Sequence, residues 1–298
     1  MDLKKLQCFI RVAELGSFTQ ASLTLDQSQS MVSRQVHQLE IELNQKLLQR
    51  NGRGVTLTSA GSQLLEHGKG ILRQVEVAEQ ALQGGSSLYK GKVTVGMTPT
   101  LGKLFSVNLV DAFFAQFPEC SLAITENLTY WIQKRLILGE LDIALLYNPL
   151  PSAYLNYELL WTEKLCLIVP EVSSIASETV ISLQDLANFP VIIPSCQHML
   201  RNLIEIECAR HNVSLNVVME IDSVSSLLTL VVKGFGYAIL PANSLNTPYR
   251  PDKLLAIPIL PPILNRVVLA TSSQRQLTPL VHCTLNILRN SIAADDVA

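Results

Sequence analysis

The chain has 298 residues, 48% hydrophobic and 16% charged, with a formal net charge of −2 at pH 7. This composition argues against a disordered or fibrous protein, and the length predicts more than one domain. No apolar run approaches the roughly 20 residues that cross a bilayer, so we expect no membrane partner. The charged residues within Met1–Glu14 break up any apolar core of a secretory signal, which favours a cytoplasmic location.

The six cysteines are scattered without a C-x-x-C pair, and most are expected to be small core residues in the reduced state. Cys196 near His198 and Cys208 near His211 resemble metal ligands locally, but no second cluster completes four-coordination. We therefore predict no metal site and no cofactor.

Three helices are predicted at the start of the chain. Apolar residues recur at helical spacing up to Gly16, which should end the first helix. Ser17 should cap a second helix over Phe18–Leu25. A third should run from about Ser28 or Gln29 to Glu42. Its buried stripe is predicted to contain Val32, Val36, Leu39 and Leu43.

The opposite face of the third helix is polar and carries no acid before Glu40. It holds Gln29, Ser30, Ser33, Arg34, His37 and Gln38. A helix that follows a short helix across a tight turn can present such groups to the major groove of DNA. Arg34 suits guanine and Gln29 suits adenine, while Ser30 and Ser33 can donate to phosphates or bases. A merely solvated helix face is the alternative.

A short basic turn with two glycines precedes Val55–Leu57 and predicts a two-stranded wing. Arg50 and Arg53 in this turn could contact phosphate or enter the minor groove, although a plain surface loop is also possible. Residues 1–88 contain nine Lys and Arg against eight Asp and Glu, and the remainder fourteen against seventeen. The charge balance alone therefore does not indicate DNA binding.

A long helix is predicted from Ser59 to Gln83, followed by a Gly-Gly-Ser-Ser hinge at 84–87. Its apolar stripe alternates by four and three residues, which is typical of a coiled-coil seam between two chains. Packing of this stripe against its own domain is the alternative. The predicted seam comprises Leu64, Gly68, Ile71, Val75, Ala78 and Leu82.

From Lys92 onward, apolar strands alternate with amphipathic helices, which indicates a mostly parallel sheet flanked by helices. One helix is expected over Leu104–Phe117. The expected strands begin at Val93 and include Ser121–Thr125, Asp142–Tyr147, Leu165–Val169, Val191–Ile193, Val217–Ile221, Tyr237–Leu240 and Val267–Thr271.

The first 61 residues resemble the LysR-type family of transcriptional regulators. The resemblance rests on Leu6-x-x-Phe9, Gly16-Ser17-Phe18-Thr19-x-Ala21, Ser28-Gln29-Ser30-x-Val32-Ser33, Leu39-Glu40, Arg50 and Leu57-Thr58-x-Ala60-Gly61. It implies that Gln29, Ser30, Ser33 and Arg34 face the groove and that Arg50 and Arg53 serve the wing.

The sequence departs from the family pattern at Ser22, Ser30 and Asn44, and none of these departures removes an expected DNA contact. Asn44 replaces a glycine, and asparagine tolerates the left-handed backbone geometry expected there. Segments 42–45, 53–55 and 71–74 are similar to the branch that includes nitrogen-assimilation control proteins.

The resemblance implies an α/β fold in three parts. Residues 1–58 would form a winged helix-turn-helix, 59–88 a linker and dimerisation helix with its hinge, and 89–298 a two-lobed effector domain of the type-2 periplasmic-binding-protein fold. Lobe one would comprise 89–162 and 267–298, and lobe two 163–266. An effector, expected to be anionic, would lie in the cleft near strand ends and helix N-termini.

Side chains at these strand ends are the candidate effector contacts. Thr98 and Thr100 flank Pro99 before a helix, where their hydroxyls could hold a carboxylate or simply cap the helix. The full candidate set is Thr98, Pro99, Thr100, Glu126, Asn127, Tyr147, Ser195 and Cys196.

Other classes of function find little support. The sequence lacks a nucleophile elbow, a zinc-protease motif and a P-loop, so we predict that the chain is not an enzyme. A solute-binding transport component fits the C-terminal part but leaves residues 1–88 unexplained. The expected partners are an operator in double-stranded DNA, a small-molecule effector, further copies in a homodimer or homotetramer, and RNA polymerase if the protein activates transcription. Effector binding is expected to shift the packing of paired chains and so the geometry of their DNA-binding parts.

Overall fold

The computed structural model describes residues 1–51, 54–82, 91–245 and 253–294. Arg53 and the predicted hinge at 84–87 lie outside these ranges. The described residues up to Leu82 form one folded unit, and nearly all of those from Gly91 onward form a second. Each unit has its own hydrophobic core.

The first unit is a winged helix-turn-helix. Its elements are α1 (Leu3–Leu15), α2 (Phe18–Thr24), α3 (Gln29–Leu43), β1 (Leu48–Asn51), β2 (Gly54–Leu57) and α4 (Ser59–Leu82). The side chains of Asp2, Ser17 and Ser28 cap the first three helices by accepting hydrogen bonds from backbone N–H groups of the first turn. Gly16, in the left-handed conformation, ends α1 as predicted.

The predicted buried stripe of α3 was correct at three of its four positions. Val32, Val36 and Leu39 are buried in the core of the first unit. Leu43 is 37% exposed, so its placement in the core was wrong. It is the last residue of α3, and Asn44 follows in the left-handed conformation (φ 49°) expected for it, turning the chain away from the core.

The first half of α4 packs against its own unit. Leu64 and Ile71 contact the core, and a Cβ on Gly68 would lie 3.0 Å from a methyl group of Leu6. Leu64, Gly68 and Ile71 thus pack on their own domain, as in the alternative considered for this stripe, and pairing of the helix between two chains stays a prediction. Val75 and Ala78 are not part of this core.

The second unit is a two-lobed α/β structure. Its strands are β3 (Lys92–Met97), β4 (Ser121–Glu126), β5 (Ile143–Tyr147), β6 (Leu155–Pro170), β7 (Ile181–Ser182), β8 (Pro190–Ile193), β9 (Asn216–Glu220), β10 (Tyr237–Pro241), β11 (Leu254–Leu260) and β12 (Leu264–Ser272). Its helices are α5 (Pro99–Gln116), α6 (Thr129–Leu138), α7 (Met199–Arg210), α8 (Val224–Val232) and α9 (Pro279–Ala294).

The main sheet has the order β4-β3-β5-β12-β6-β10-β8-β9. Strands β3, β4 and β5 run parallel, as do β8, β9 and β10, whereas β6 and β12 run antiparallel to their neighbours. The first part of β6 pairs with β12 and its last part with β10. One core contains β3, α5 and α9, and another contains β8, α7 and α8, so β6 links two lobes.

Two predicted elements of this unit need correction, and two strands were not predicted. Helix α5 begins at Pro99 instead of Leu104, because proline is well suited to the first helical position. Strand β6 is 16 residues long, whereas only Leu165–Val169 was predicted; its earlier half has several exposed residues and lacks a continuous apolar run. Strands β7 and β11 were the two that were not predicted. Among the described residues, no helix is both long and apolar enough to span a membrane.

Candidate functional site

The polar face of α3 is open to solvent. Gln29, Ser30, Arg34 and His37 are exposed, and Ser33 is half-buried. Arg34 forms no ion pair with any residue in the described part of the chain. Its guanidinium is therefore free to form the bidentate hydrogen bonds that guanine accepts.

A buried carboxylate, whose structural role the sequence did not reveal, joins α3 to the wing. Glu40 is 9% exposed, and its Oε1 accepts hydrogen bonds from the N–H groups of Leu47 (2.9 Å) and Leu48 (3.2 Å). Its Oε2 accepts one from Lys46 Nζ (2.9 Å). Burial raises the pKa of Glu40, but these hydrogen bonds outweigh it and leave the pKa below its ordinary value. Glu40 thus fixes the start of β1 against α3.

The wing is an antiparallel hairpin in which Arg50 pairs with Val55. The N–H of Val55 donates to the carbonyl of Gly16 (2.9 Å), which ties β2 to the turn after α1. On the other side, a Cβ on Gly61 would overlap the carbonyl oxygen of Leu47, so α4 approaches the wing as closely as only glycine allows. The hairpin is therefore held from both sides.

A cavity of about 390 Å³ lies in the cleft of the second unit. Three helices begin at its wall: α5 at Pro99, α7 just after His198, and α8 just after Ser223. The first N–H groups of a helix lack intrahelical partners and carry partial positive charge. The apolar part of the wall is formed by Pro99, Leu128, Leu200, Val224, Leu240 and Pro241.

The starts of α7 and α8 already have acceptors supplied by the chain. Nδ1 of His198 accepts from the N–H of Leu200 (3.2 Å), and Ser223 Oγ accepts from the N–H of Ser226 (3.4 Å). Asp222 Oδ1 accepts from the N–H of Ser195 (2.9 Å), in the turn before α7. Hydrogen bonds from Ser195 hold the pKa of Asp222 below its usual value.

Helix α5 differs, because its N-cap residue makes no capping hydrogen bond. Thr98 is 7% exposed, and its Oγ1 is buried without a hydrogen-bond partner in the described structure. Pro99 has no N–H, so Thr100 and Leu101 provide the free amides of the first turn. The capping alternative therefore does not hold for Thr98, whose hydroxyl is available to a molecule in the cavity.

A second buried hydroxyl and a carboxylate lie at the same cavity. Tyr147 is 9% exposed, lines the cavity, and has no hydrogen-bond partner for its Oη in the described structure. Burial, and secondarily the charge of Glu163, raises the pKa of Tyr147. Glu163 itself accepts from Asn265 Nδ2 (2.6 Å), a cavity residue, and from Asn243 Nδ2 (2.7 Å).

His198 contributes a directed donor. Burial lowers the pKa of His198, with the charge of Asp222 acting in the opposite direction, so the neutral imidazole is favoured at neutral pH. Because Nδ1 accepts the hydrogen bond from Leu200, the neutral ring carries its hydrogen at Nε2. His198 can then donate while remaining uncharged.

Four of the eight predicted effector residues line the cavity, namely Thr98, Pro99, Thr100 and Tyr147. The other four do not. The Glu126 carboxylate lies against Gly102, and Asn127 Oδ1 accepts from the N–H of Leu128. The N–H of Ser195 donates to Asp222, and Cys196 is exposed to solvent and does not line the cavity.

The cavity also includes polar residues that the sequence did not indicate. They are Lys103, His198, Asp222, Ser223, Ser244 and Asn265. Lys103 lies about one helical turn after Pro99, so a correctly placed start of α5 would have indicated it. Ser223 precedes an apolar run and is a recognisable helix cap. Asn265 is brought in by a long-range strand pairing that no local pattern reveals.

Comparison with protein families identifies both units. Residues 3–62 match the bacterial regulatory helix-turn-helix proteins of the lysR family, and residues 86–293 match the LysR substrate binding domain. The chain belongs to the LysR-type transcriptional regulators. It is thus a DNA-binding regulator with an effector-binding domain, not an enzyme, as predicted.

Individual relatives agree with this assignment. The regulator is 32% identical to the nitrogen assimilation regulatory protein Nac of Escherichia coli, over 82% of this chain and 79% of that protein. It is 29% identical to the transcriptional regulator BbuR of Bordetella bronchiseptica, over 86% and 79%. The similarity to Nac accords with the branch that the sequence resembles.

Solved structures of full-length regulators share the fold. A full-length OxyR variant from Pseudomonas aeruginosa superposes with a TM-score of 0.76 at 23% identity, covering 98% of this chain and 94% of that one. CbnR, a LysR family regulator, gives a TM-score of 0.69 at 20% identity, covering 98% and 99%.

Proposed function

We propose that this regulator reads its operator with the exposed face of α3 and the wing, and that a small anionic molecule bound in the cleft controls it. The observation that supports the effector site most directly is the buried Oγ1 of Thr98, which has no hydrogen-bond partner in the described structure and lies at the start of α5. A buried hydroxyl without a partner costs free energy, and a ligand oxygen would remove that cost.

The proposed DNA contacts are those predicted from the sequence. Gln29, Ser30, Ser33, Arg34 and His37 would serve bases and phosphates, and Arg50 and Arg53 would serve the wing. The exposure of α3 and the free guanidinium of Arg34 support the first group. The hairpin supports a wing at Arg50, whereas Arg53 lies outside the described residues.

The proposed effector contacts are Thr98, Pro99, Thr100 and Tyr147, to which the cavity adds Lys103 and Asn265. An anion is favoured at α5 because the free amides of its first turn, the hydroxyl of Thr98 and the ammonium of Lys103 all stabilise negative charge. Glu126, Asn127, Ser195 and Cys196 do not line this cavity and are left out of the proposed contacts.

We further propose that the protein acts in the cytoplasm as a homodimer or homotetramer. The near-neutral charge of residues 1–88 supports this, because two copies double the number of phosphate contacts on a two-part operator. We also propose three domains, residues 1–58, 59–88 and 89–298. Within the last, the chain would cross from lobe one to lobe two near residue 163 and return near residue 266. Effector binding would favour one arrangement of the paired chains, and RNA polymerase would be a partner in activation.

The effector site is tested with Thr98→Val in the full-length protein, using 4-methylpentanoate and 3-phenylpropanoate as anionic probes. Titration calorimetry should show millimolar or tighter binding to the unchanged protein, weakened about tenfold or more by the loss of a hydrogen bond to a charged group. Thr162→Val, an exposed position on β6 outside the cavity, is the control. If Thr98→Val binds both probes as tightly as the unchanged protein does, Thr98 is removed from the site.

A further inference from the structure

The carboxylate of Glu163 lies directly behind one part of the cavity wall. Asn265 and Asn243 both donate hydrogen bonds to the Glu163 carboxylate. Asn265 lines the cavity, and so does Ser244, the neighbour of Asn243. Trp161 Nε1 is the third donor, at 3.4 Å. These donors are all neutral, and no lysine or arginine in the described ranges forms an ion pair with Glu163.

This partly buried carboxylate therefore forms no ion pair within the described residues. Burial raises the pKa of Glu163, and the three hydrogen bonds offset this only in part. A charge removed from water without a counterion is costly, and a nearby cation would recover much of the cost. No lysine or arginine of the described residues supplies that charge through an ion pair, and a cation bound in the cavity would supply it.

Tyr147 connects Glu163 to the cavity. Its buried Oη has no partner in the described residues, and it lies within the electrostatic influence of Glu163. A hydroxyl hydrogen turned towards the negative carboxylate would leave the oxygen lone pairs for a donor in the cavity. An ammonium group matches this environment, since it donates hydrogen bonds and carries the missing positive charge.

Asp222, an acid that lines the cavity itself, also disfavours a second anion there. Asp222 lines the wall and is held by hydrogen bonds from Ser195 in the turn before α7. It therefore supplies a negative charge where α7 and α8 begin, which makes these two helix starts less favourable for a second anion. The start of α5, with Thr98 and Lys103, remains the place for an acid group.

We infer that the effector is a small zwitterion of the amino-acid type. Its carboxylate would bind at the start of α5, and its ammonium would bind Tyr147 in the field of Glu163. The group between or beside them would pack on Leu128, Leu200, Val224 and Leu240. This inference rests on the proposed function, because it assumes that the cleft binds an anion, and it adds the requirement for a cation in the same molecule.

The test begins with the standard L-amino acids as probes, each added at millimolar concentration to the full-length protein in a thermal-unfolding assay. At least one should raise the melting temperature, since a ligand that binds only the folded state stabilises it. That amino acid is then compared by calorimetry with its desamino acid, its 2-hydroxy acid and its decarboxylated amine. The zwitterion should bind at least about tenfold more tightly than each of these analogues.

The variant Glu163→Gln keeps the size of the side chain and removes the charge. It should abolish the preference for the amino acid over its desamino analogue while leaving the affinity for the analogue intact or higher. Tyr147→Phe should reduce the same preference and serves as a second variant if Glu163→Gln does not fold. Glu158→Gln, on the same strand but paired with Arg289 on the surface, should keep the preference in full.

The outcomes separate this inference from the proposed function. A desamino acid that binds as tightly as the amino acid, or a 2-hydroxy acid that does, overturns the zwitterion and leaves the anion site standing. The absence of any amino acid that stabilises the protein overturns it as well. If the amine binds as tightly as the amino acid and Thr98→Val has no effect on either, the anion site itself is refuted.

Discussion

Two glutamates, the buried Glu40 in the first unit and the partly buried Glu163 in the second, have opposite surroundings. Glu40 in the first unit is hydrogen-bonded by Lys46 and two backbone N–H groups, and its pKa is lowered despite burial. Glu163 in the second unit has only neutral donors, and burial raises its pKa. The first unit thus satisfies this buried carboxylate with its own atoms, whereas the second leaves polar groups incomplete at the cleft. A ligand gains the most binding free energy where it supplies a hydrogen-bond partner or counter-charge that the protein lacks.

The largest effect is expected from Glu40→Ala. This change leaves the N–H groups of Leu47 and Leu48 without their acceptor, and we expect the free energy of unfolding of the first unit to fall by about 2 to 3 kcal/mol. Operator affinity should fall with it, because the wing loses its attachment to α3. Urea denaturation followed by helix content measures the first effect. Glu42→Ala on the same helix is the control, because it removes an exposed ion pair with Lys5 and should change stability little.

The pH dependence of stability is a second test of the role of Glu40. Because the pKa of Glu40 is lowered on folding, its contribution to stability is complete above the ordinary value of 4.5 and is lost as pH falls through the lower, folded value. Glu40→Gln should remove this acid-dependent loss, which urea denaturation at a series of pH values measures. If both proteins lose stability equally between about pH 5 and about pH 3, Glu40 is not the group responsible.

A moderate effect, on binding alone, is expected from Arg34→Ala. The guanidinium is exposed and forms no ion pair within the described structure, so the melting temperature should not change. Specific affinity for an operator selected from genomic fragments should weaken by about 1 to 3 kcal/mol if Arg34 reads a base. Arg11→Ala, on the exposed face of α1 beside Glu14, is the matched control. An unchanged affinity for the selected operator would exclude Arg34 as a base contact.

The smallest effect, and one of opposite sign, is expected from Tyr147→Phe without ligand. Removing a buried hydroxyl that has no partner in the described structure should raise the free energy of unfolding of the second unit by up to about 1 kcal/mol. Thermal unfolding in the absence of any small molecule measures it. Tyr157→Phe is the comparison, because the Tyr157 hydroxyl donates to the carbonyl of Leu150 and its loss should destabilise. A clear loss of stability in Tyr147→Phe would mean that its hydroxyl already has a partner.

Local signals predicted the first unit well. Ser17, Ser28, Gly16 and Asn44 set the ends of the helices through caps and left-handed turns, and these depend on only a few neighbouring residues. Leu43 was misplaced because helical periodicity continues past the point where the chain turns away. Glu40 was treated as the end of the polar face, since sequence spacing does not reveal that β1 returns to cover it.

The cleft was predicted less completely, because its residues come from distant parts of the chain. Thr98 and Tyr147 were found from their places at strand ends. Asp222, Asn265 and Glu163 were missed, since their proximity depends on the pairing of β6 with β12 and on the placement of α8. Strand β6 was predicted too short because its first half faces solvent on one side and lacks a continuous apolar run.

The close seating of α4 on the wing has a mechanical consequence. Gly61 brings the helix backbone against the carbonyl of Leu47, while Leu64 and Ile71 anchor the next turns to the core. Since α4 has 24 residues, it is a rod about 36 Å long with one end fixed to the wing hairpin. A rotation imposed on the far half of α4 would therefore turn the wing hairpin and α3 together, because both are packed against the first half of this helix.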